Sequence, residues 1–202
     1  MDRAPTRTRI VGVPFMAPAS MFYIYFLAIT ALEILLETWI SARNSRALLN
    51  RGAVEIGPML LPVMALLYGV MYLGSLGEHL WISRPVSIPW ILLFGLLFCL
   101  AKILKFWAIA SLGPYWSMRV LILPESTVVT RGPYRWIRHP NYVAVLMEIA
   151  ATTLIGKSFL TFVVVIVLFS VTLVFRIQQE EAALKKYTDY AGRMGIRRRF
   201  LP

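Results

Sequence analysis

The fold follows from the uncharged run FLTFVVVIVLFSVTLVF, which occupies residues 159–175. Several of its residues are β-branched, which elsewhere favours a strand. An isolated strand in lipid would leave its backbone groups unpaired, so the run predicts a membrane-spanning helix. The turn residues Gly156-Lys157-Ser158 precede it and join it to another apolar run, at residues 142–155. The two runs therefore predict a C-terminal helical hairpin.

Three more apolar runs lie upstream, at residues 19–40, 59–80 and 88–110. The sequence therefore predicts an all-α integral membrane protein with about five transmembrane helices. The run at residues 142–155 is short for a helix that needs roughly 20 residues to cross the hydrocarbon. We expect it to tilt, to dip into the membrane or to lie inside the bundle.

The composition supports a membrane protein and excludes several other classes. Of the 202 residues, 58% are hydrophobic and 15% are charged, and the mean hydropathy is +0.68. A soluble domain could not bury this excess of apolar residues. The formal net charge is +11, but the basic residues lie at span ends, where they meet anionic headgroups, so we expect no nucleic-acid partner. One Cys and two His argue against a disulfide framework and against a bound metal.

Arginine and lysine are concentrated after the first, third and fifth spans. They are Arg43, Arg46 and Arg51; Arg119, Arg131, Arg135 and Arg138; and Lys185, Lys186, Arg193, Arg197, Arg198 and Arg199. The loops on the opposite side carry Arg84 and Lys157. The positive-inside rule makes the more basic side cytoplasmic. The N-terminal tail, with Arg3, Arg7 and Arg9, departs from this pattern.

Two polar segments flank the predicted hairpin on the cytoplasmic side, and the first is the loop at residues 128–141. Gly132 permits a turn there, and Pro133 and Pro140 restrict the chain. Pro140 is expected in the first turn of the fourth span, which leaves Arg138 and His139 at a helix N-terminus that favours an anionic group. The alternative is a helix cap with arginine, tryptophan and tyrosine as interfacial anchors.

The second polar segment begins at Arg176, where the last span ends. Arg176 and Glu180 are four residues apart and share a helix face, whereas Glu181 points elsewhere. Ionisable groups at this depth tend to be functional, so we expect a site here. The alternative is a solvated helix end with a weak ion pair.

Charged residues also lie within the predicted spans. We expect Glu37 and Lys105 to snorkel toward the interface. Glu148 lies inside the fourth span, about two helical turns from His139. It either lines the active site or forms a structural pair with Lys102.

At these residues the chain resembles the isoprenylcysteine carboxyl methyltransferases and the wider group of small membrane methyltransferases, which includes phospholipid N-methyltransferases. The resemblance rests on Val128-Val129-Thr130-Arg131-Gly132-Pro133-Tyr134-Arg135-Trp136-Ile137-Arg138-His139-Pro140-Asn141-Tyr142 and on Arg176 with Glu180-Glu181. It covers about residues 112–202. It is specific, because Arg-His-Pro-x-Tyr after Gly-x-Tyr, with a distant Glu-Glu, rarely arises by chance.

Two details refine the resemblance. The segments Ala42-Arg43-Asn44 and Arg51-Gly52-Ala53-Val54-Glu55 look like a bacterial branch, often similar to O-methyltransferases that act on long-chain polyketide pyrones and resorcinols. Ala144 stands where the family often has glycine. The added methyl group would narrow the site, which weakens the case for a prenylcysteine substrate.

The resemblance implies S-adenosylmethionine as the cofactor, held without a Rossmann domain, in a protein of the bacterial inner membrane. The residues it implies for the cofactor pocket are Val129, Gly132, Tyr134, Arg138, His139, Pro140, Tyr142 and Glu181. Glu181 suits the methionyl amine and His139 the carboxylate, while Arg176 and Glu180 form the catalytic pair that positions the acceptor. Residues 112–202 would be the cofactor-binding catalytic region, and residues 1–111 would provide substrate access.

The implied acceptor is lipid-like, either an isoprenylcysteine carboxylate or a long-chain polyketide pyrone or resorcinol, and membrane lipids would surround it. An NADPH-dependent reductase of the sterol type is an alternative, because its C-terminal region carries a similar Arg-His-Pro-Asn-Tyr stretch. A phospholipid N-methyltransferase is another. A non-catalytic scaffold or a transporter is a third, although the sequence has no repeat of the kind expected of transporters.

Overall fold

The computed structural model describes residues 18–82, 84–194 and 199–200. The α-helices in these ranges are α1 Pro18–Asn50, α2 Leu60–Ile82, α3 Ile88–Leu112, α4 Pro140–Ile155, α5 Phe159–Tyr187 and α6 Tyr190–Met194. The strands are β1 Val54–Ile56 and β2 Val120–Ile122, and short 3-10 helices occupy Gly113–Tyr115 and Gly132–Arg135. Five basic residues of the orientation argument lie outside the described residues: Arg3, Arg7, Arg9, Arg197 and Arg198.

The helices confirm the predicted class of all-α membrane protein. Helices α1, α2, α3 and α5 are long and apolar enough to cross a membrane, and α4 is a shorter apolar helix. Large apolar side chains such as Leu66, Leu73 and Leu160 are exposed on the outside of the bundle, where lipid would solvate them. Helices α1 and α5 run well past the predicted span ends at residues 40 and 175, because hydropathy marks where a helix leaves the membrane rather than where it stops.

The short helix α4 lies inside the bundle, where it packs against α3 and α5 and also contacts α2. Its outer surface is therefore protein rather than lipid, so it need not match the bilayer in length. On the α5 side its residues Tyr142, Val145 and Ile149 join a core cluster with Phe169 and Leu173. Toward α3, small buried residues permit a close approach of the helices: Ala101, Ala108, Ala144 and Ala151.

The α4–α5 hairpin is closed by one carboxylate from α2. Glu78 accepts hydrogen bonds from the backbone N–H groups of Leu160 (3.2 Å) and Thr161 (2.9 Å) in the first turn of α5. A carboxylate at this position satisfies free N–H groups and complements the positive end of the helix dipole. Glu78 also forms an ion pair with Arg84 at 2.8 Å. The outer end of the hairpin is thereby attached to α2.

A two-stranded antiparallel sheet joins the loops that follow α1 and α3, with Val54 opposite Ile122 and Ile56 opposite Val120. The all-α prediction did not include it, because three-residue strands give no periodic signal in a sequence. Arg119 and Glu55 form a bidentate ion pair beside the sheet. The sheet places these two loops at the same end of the bundle.

A cluster of buried charges crosses the bundle and corrects the expectation that Glu37 and Lys105 snorkel. Lys105 pairs with Glu37 at 2.7 Å and with Glu148 at 2.9 Å, and all three side chains are buried. Lys102 pairs with Glu148 and, at 2.7 Å, with Glu33. The cluster therefore holds three carboxylates and two ammonium groups. Pairing inside the protein replaces contact with water, since α1, α3 and α4 surround the charges.

We expect Lys102→Met to destabilise the protein more than Glu148→Gln does. The lysine change leaves three carboxylates with one ammonium group, whereas the glutamate change leaves two of each. Breaking a buried ion pair from one side costs roughly 3–5 kcal/mol. Unfolding titrations in detergent would measure the free energy of unfolding of each variant.

The control is Lys185→Gln, which removes an exposed charge on α5 and should change the free energy of unfolding by less than about 0.5 kcal/mol. Equal losses for Lys102→Met and Glu148→Gln would contradict the view that the balance of charge decides stability in this cluster.

Candidate functional site

A cavity of about 360 Å³ lies where the loops joined by the sheet meet the polar part of α5, which begins at Arg176. This volume is within the range of roughly 300–1,000 Å³ that is typical of small-molecule sites. One wall is apolar and comes from α1 and α2, with Ile34, Leu61, Met64 and Ala65. Another wall is polar and is built by the residues around the start of α4 and the end of α5: Arg138, His139, Asn141, Tyr142, Arg176 and Glu180.

Arg176 is at the centre of the polar wall. Its Nε donates to the Tyr142 hydroxyl at 2.8 Å, and its Nη2 donates to the carbonyl oxygen of Met118 at 2.5 Å. The Tyr142 hydroxyl in turn donates to Glu180 Oε2 at 2.5 Å. The sequence offered a direct ion pair between Arg176 and Glu180 as one alternative, but the structure places a tyrosine hydroxyl between them. Because Arg176 is buried, these bonds fix the orientation of its guanidinium group.

Glu181 lies on a different side of α5, as its position one residue after Glu180 requires. It accepts hydrogen bonds from His139 Nε2 at 3.0 Å and from Arg199 Nη2 at 2.8 Å, and Arg138 Nη1 lies 3.5 Å away. The carboxylate is buried. Glu181 does not line the cavity itself, but it contacts His139 and Arg138, which do, and so fixes their positions.

The turn at Gly132 shapes the third wall. Gly132 has φ +59°, and a Cβ atom there would collide with the side chain of Ser111 on α3. Gly132 is the first residue of the 3-10 helix Gly132–Arg135, which buries Tyr134 in a cluster with Ala108, Tyr190 and Met194. Burial raises the pKa of both phenols, Tyr134 and Tyr190, above the usual range.

The start of α4 is organised as the sequence suggested. Pro140 is its first residue, and the carbonyl oxygen of His139 accepts hydrogen bonds from the N–H groups of Tyr142 (3.1 Å) and Val143 (3.3 Å). The positive end of the helix dipole therefore lies beside His139 and Arg138. The side chain of Asn141 faces the cavity, and its buried Oδ1 has no hydrogen-bond partner among the described residues.

Most of the residues expected at the site line the cavity: Val129, Tyr134, Arg138, His139, Tyr142, Arg176 and Glu180. The other four expected residues do not line the cavity. Gly132 sets the turn, Pro140 begins α4 and Glu181 supports His139. Glu148 pairs with Lys102 and Lys105 in the buried cluster and does not line the cavity.

The sequence analysis missed several residues of the cavity wall. Asn141 could have been found, because it lies between Pro140 and Tyr142 in the quoted motif. Met118 could not, because it contributes a backbone carbonyl, and side-chain identity gives no signal for that role. Glu37 and Lys105 were treated as interfacial because the sequence does not reveal which face of a transmembrane helix is turned inward.

The arrangement combines cationic, anionic and aromatic groups in one enclosed space. Arg138 and His139 beside the helix N-terminus suit an anionic group. Glu180 and the ring of Tyr134 suit a cationic group, whereas the ring of Tyr142 is already covered by His139 and Arg176. Such a site can hold a zwitterionic molecule next to an apolar one, because the wall from α1 and α2 is hydrocarbon.

Comparison with known proteins gives one family match and two bacterial relatives. The model of the isoprenylcysteine carboxyl methyltransferase (ICMT) family matches residues 92–186. The chain is 29% identical over 168 residues to the uncharacterized protein YpbQ of Bacillus subtilis (strain 168), which covers 83% of this chain and 99% of that protein. It is 27% identical over 150 residues to an uncharacterized protein of Haemophilus influenzae (strain ATCC 51907 / DSM 11121 / KW20 / Rd), covering 72% of this chain and 84% of that protein.

These matches agree with the resemblance read from the sequence, including its bacterial branch. The matched segment contains Arg138, His139, Arg176, Glu180 and Glu181, on which the resemblance rests. The same segment supplies the polar wall of the cavity. Residues 92–186 of this chain are therefore similar to the isoprenylcysteine carboxyl methyltransferase family.

Proposed function

We propose that this protein is an S-adenosylmethionine-dependent O-methyltransferase that acts on a lipid-like acceptor. The match of residues 92–186 to the isoprenylcysteine carboxyl methyltransferase family supports a membrane methyltransferase. The observation that carries the finer proposal is that one cavity joins the polar wall around Arg138, His139 and Glu180 to the apolar wall from α1 and α2. A charged cofactor needs a polar wall and a hydrocarbon acceptor needs an apolar one, and methyl transfer requires the two to be adjacent.

The polar wall fits the chemical groups of S-adenosylmethionine. When bound, this cofactor supplies a methyl group made electrophilic by a positively charged sulfur. Arg138 and His139 would hold its carboxylate, and the unpartnered Oδ1 of Asn141 would accept a hydrogen bond from its amine or its adenine. Glu180 and the ring of Tyr134 would face the positive charge. Glu181, which already holds His139 and Arg199, would act by fixing His139 rather than by contact.

Arg176 and Glu180 would act on the acceptor. The contacts of Arg176 with described residues use three of its five N–H groups, and Arg176 lines the cavity, so it would orient the acceptor oxygen. Orientation is the main source of rate in an in-line displacement. A carboxylate acceptor is already ionised and needs no base. A hydroxyl acceptor would pass its proton to Glu180, whose Oε2 is fixed by Tyr142. Of the bases considered from the sequence, Glu148 is least suited, because Lys102 and Lys105 engage both of its oxygens.

The acceptor chain would enter from the membrane between the spans contributed by residues 1–111, while residues 112–202 would hold the cofactor. By the positive-inside rule, the basic residues favour the cytoplasmic side for the loops of the cavity. This is the compartment in which S-adenosylmethionine is made. In the inner membrane of a bacterium, the protein would have access both to a lipid-like acceptor in the bilayer and to the cofactor in the cytoplasm.

We expect S-adenosylhomocysteine to bind the detergent-purified protein and both His139→Ala and Glu181→Ala to weaken the binding. The first change removes a group of the polar wall, and the second removes the carboxylate that orients it. Losing a hydrogen bond to a charged group costs roughly 1.5–3 kcal/mol, which is a loss of about tenfold or more in affinity. Isothermal titration calorimetry would measure the dissociation constants.

The matched control for this titration is Glu125→Gln, which removes an exposed charge from the same loop region and should bind like wild type. NADPH is the control ligand. Binding of NADPH in preference to S-adenosylhomocysteine would replace the proposal with the reductase alternative, and binding of neither would favour a scaffold.

We expect Arg176→Lys to lower kcat about a hundredfold while S-adenosylhomocysteine still binds. Lysine keeps the charge but cannot reach the Tyr142 hydroxyl and the Met118 carbonyl together, so the acceptor would be misplaced. Methyl transfer from radiolabelled cofactor to extracted lipid would measure the rate. An unchanged kcat would remove Arg176 from the reaction.

We expect the cavity to face the cytoplasm. In a Cys99→Ala background, a cysteine replacing the exposed Arg135 should resist a membrane-impermeant maleimide in intact cells and react after permeabilisation. A cysteine replacing the exposed Ser87, at the opposite end of the bundle, should react in intact cells. The reverse labelling pattern would show that the orientation is inverted.

A further inference from the structure

The deep end of the cavity contains a second polar region, made by Glu37 and Lys105. Both side chains are buried, and they pair with each other at 2.7 Å. Nothing in the proposed methyl transfer uses them. Ionisable groups inside a membrane protein are costly and usually mark a functional position.

The path from Arg176 to this region runs along α1. The Arg176 guanidinium donates to the carbonyl of Met118, and the N–H of Met118 donates to Ser41 Oγ at 2.8 Å. Glu37 precedes Ser41 by one helical turn, which is about 6 Å along the axis. The second polar region therefore lies one turn deeper in the membrane than the group that would orient the methylated oxygen.

Helix α2 gives the same spacing independently. Met64 on α2 contacts Arg176 Nη1 through its sulfur at 3.3 Å. Tyr68 follows Met64 by one turn and lines the cavity together with Lys105 and Glu37. Two separate helices thus place the polar groups in two levels, about 6 Å apart.

The carboxylate of Glu37 is only half satisfied. Its Oε2 pairs with Lys105, whereas its buried Oε1 has no hydrogen-bond partner among the described residues. A buried acceptor without a partner is costly and calls for an explanation. The cluster to which Glu37 belongs also has an excess of one carboxylate over its ammonium groups, so it favours a hydrogen-bond donor. The terminal torsion of a glutamate is soft, so Oε1 can turn toward a donor in the cavity.

We propose that Glu37 Oε1 accepts a hydrogen bond from a hydroxyl group of the acceptor. The enzyme then selects lipid-like acceptors whose head carries two oxygen functions about one helical turn apart. One oxygen lies at Arg176 and is methylated, and the other lies at Glu37 and is not. This inference rests on the proposed function only in that the methyl acceptor occupies this cavity.

The test compares two ligands that differ by a single hydroxyl group: a 5-alkylresorcinol and a 3-alkylphenol that carry the same long chain. Equilibrium binding to detergent-purified wild type is measured for both. We expect the dihydroxy compound to bind roughly tenfold more tightly, because the monohydroxy compound leaves Glu37 Oε1 unpaired.

Two matched variants separate a selective role of Glu37 from a structural one. Glu37→Met and Glu33→Met remove one carboxylate each from the same cluster and leave the same balance of charge, but Glu33 does not line the cavity. Glu37→Met should bind both compounds within about twofold of each other, because it lacks the carboxylate oxygen that would accept a hydrogen bond from the second hydroxyl. Glu33→Met should keep the preference of wild type. Partition of each compound into the micelles is measured without protein and used to correct its dissociation constant, so that the two compounds can be compared directly.

Four outcomes would overturn the inference: equal binding of the two compounds by wild type, no binding of either, a preference that survives in Glu37→Met, or a preference lost equally in Glu33→Met. The proposed function is scored separately by S-adenosylhomocysteine binding. A wild type that binds this cofactor product but does not discriminate refutes the role of Glu37 alone. A wild type that discriminates but binds no S-adenosylhomocysteine refutes the methyltransferase proposal alone.

Discussion

The guanidinium of Arg176 is the group on which the arrangement of the site depends. It is buried where the apolar part of α5 ends, so the protein rather than water must supply acceptors for its N–H groups. Those acceptors come from Met118 in the loop after α3 and from Tyr142 at the start of α4. Satisfying one buried cation therefore draws three segments together, and the cavity is the space that remains among them.

The polar wall could be predicted largely from the sequence. The motif around His139 and the segment after Arg176 flank the same helical hairpin, so chain connectivity alone brings them to one end of the bundle. What connectivity does not decide is the role of each side chain there. Glu180 faces the cavity and Glu181 faces away from it, and only the packing of Arg138, His139 and Arg199 around Glu181 distinguishes them.

The deep wall could not be predicted, for a physical reason. Apolar residues occur on every side of the membrane-spanning parts of α1, α2 and α3, so hydropathy does not distinguish the face that contacts lipid from the face that contacts protein. Glu37 and Lys105 were read as interfacial because a lone charge in a span normally reaches for water. Each instead finds a partner on another helix, a relation between positions far apart in sequence. The small sheet was missed for a similar reason, since its two strands are also far apart in sequence.

The length of α4 has a thermodynamic consequence. Its 16 residues rise about 24 Å, less than the roughly 30 Å of the hydrocarbon layer. If its far end, at the hairpin turn, lies at one surface of that layer, its start lies several ångströms beneath the other surface, and His139 and Tyr142 lie there with it. A water-soluble reactant can descend this far through a polar cleft. A reactant with a long alkyl chain could keep that chain in the bilayer throughout, which would avoid an extraction cost of about 0.8 kcal/mol for each methylene group.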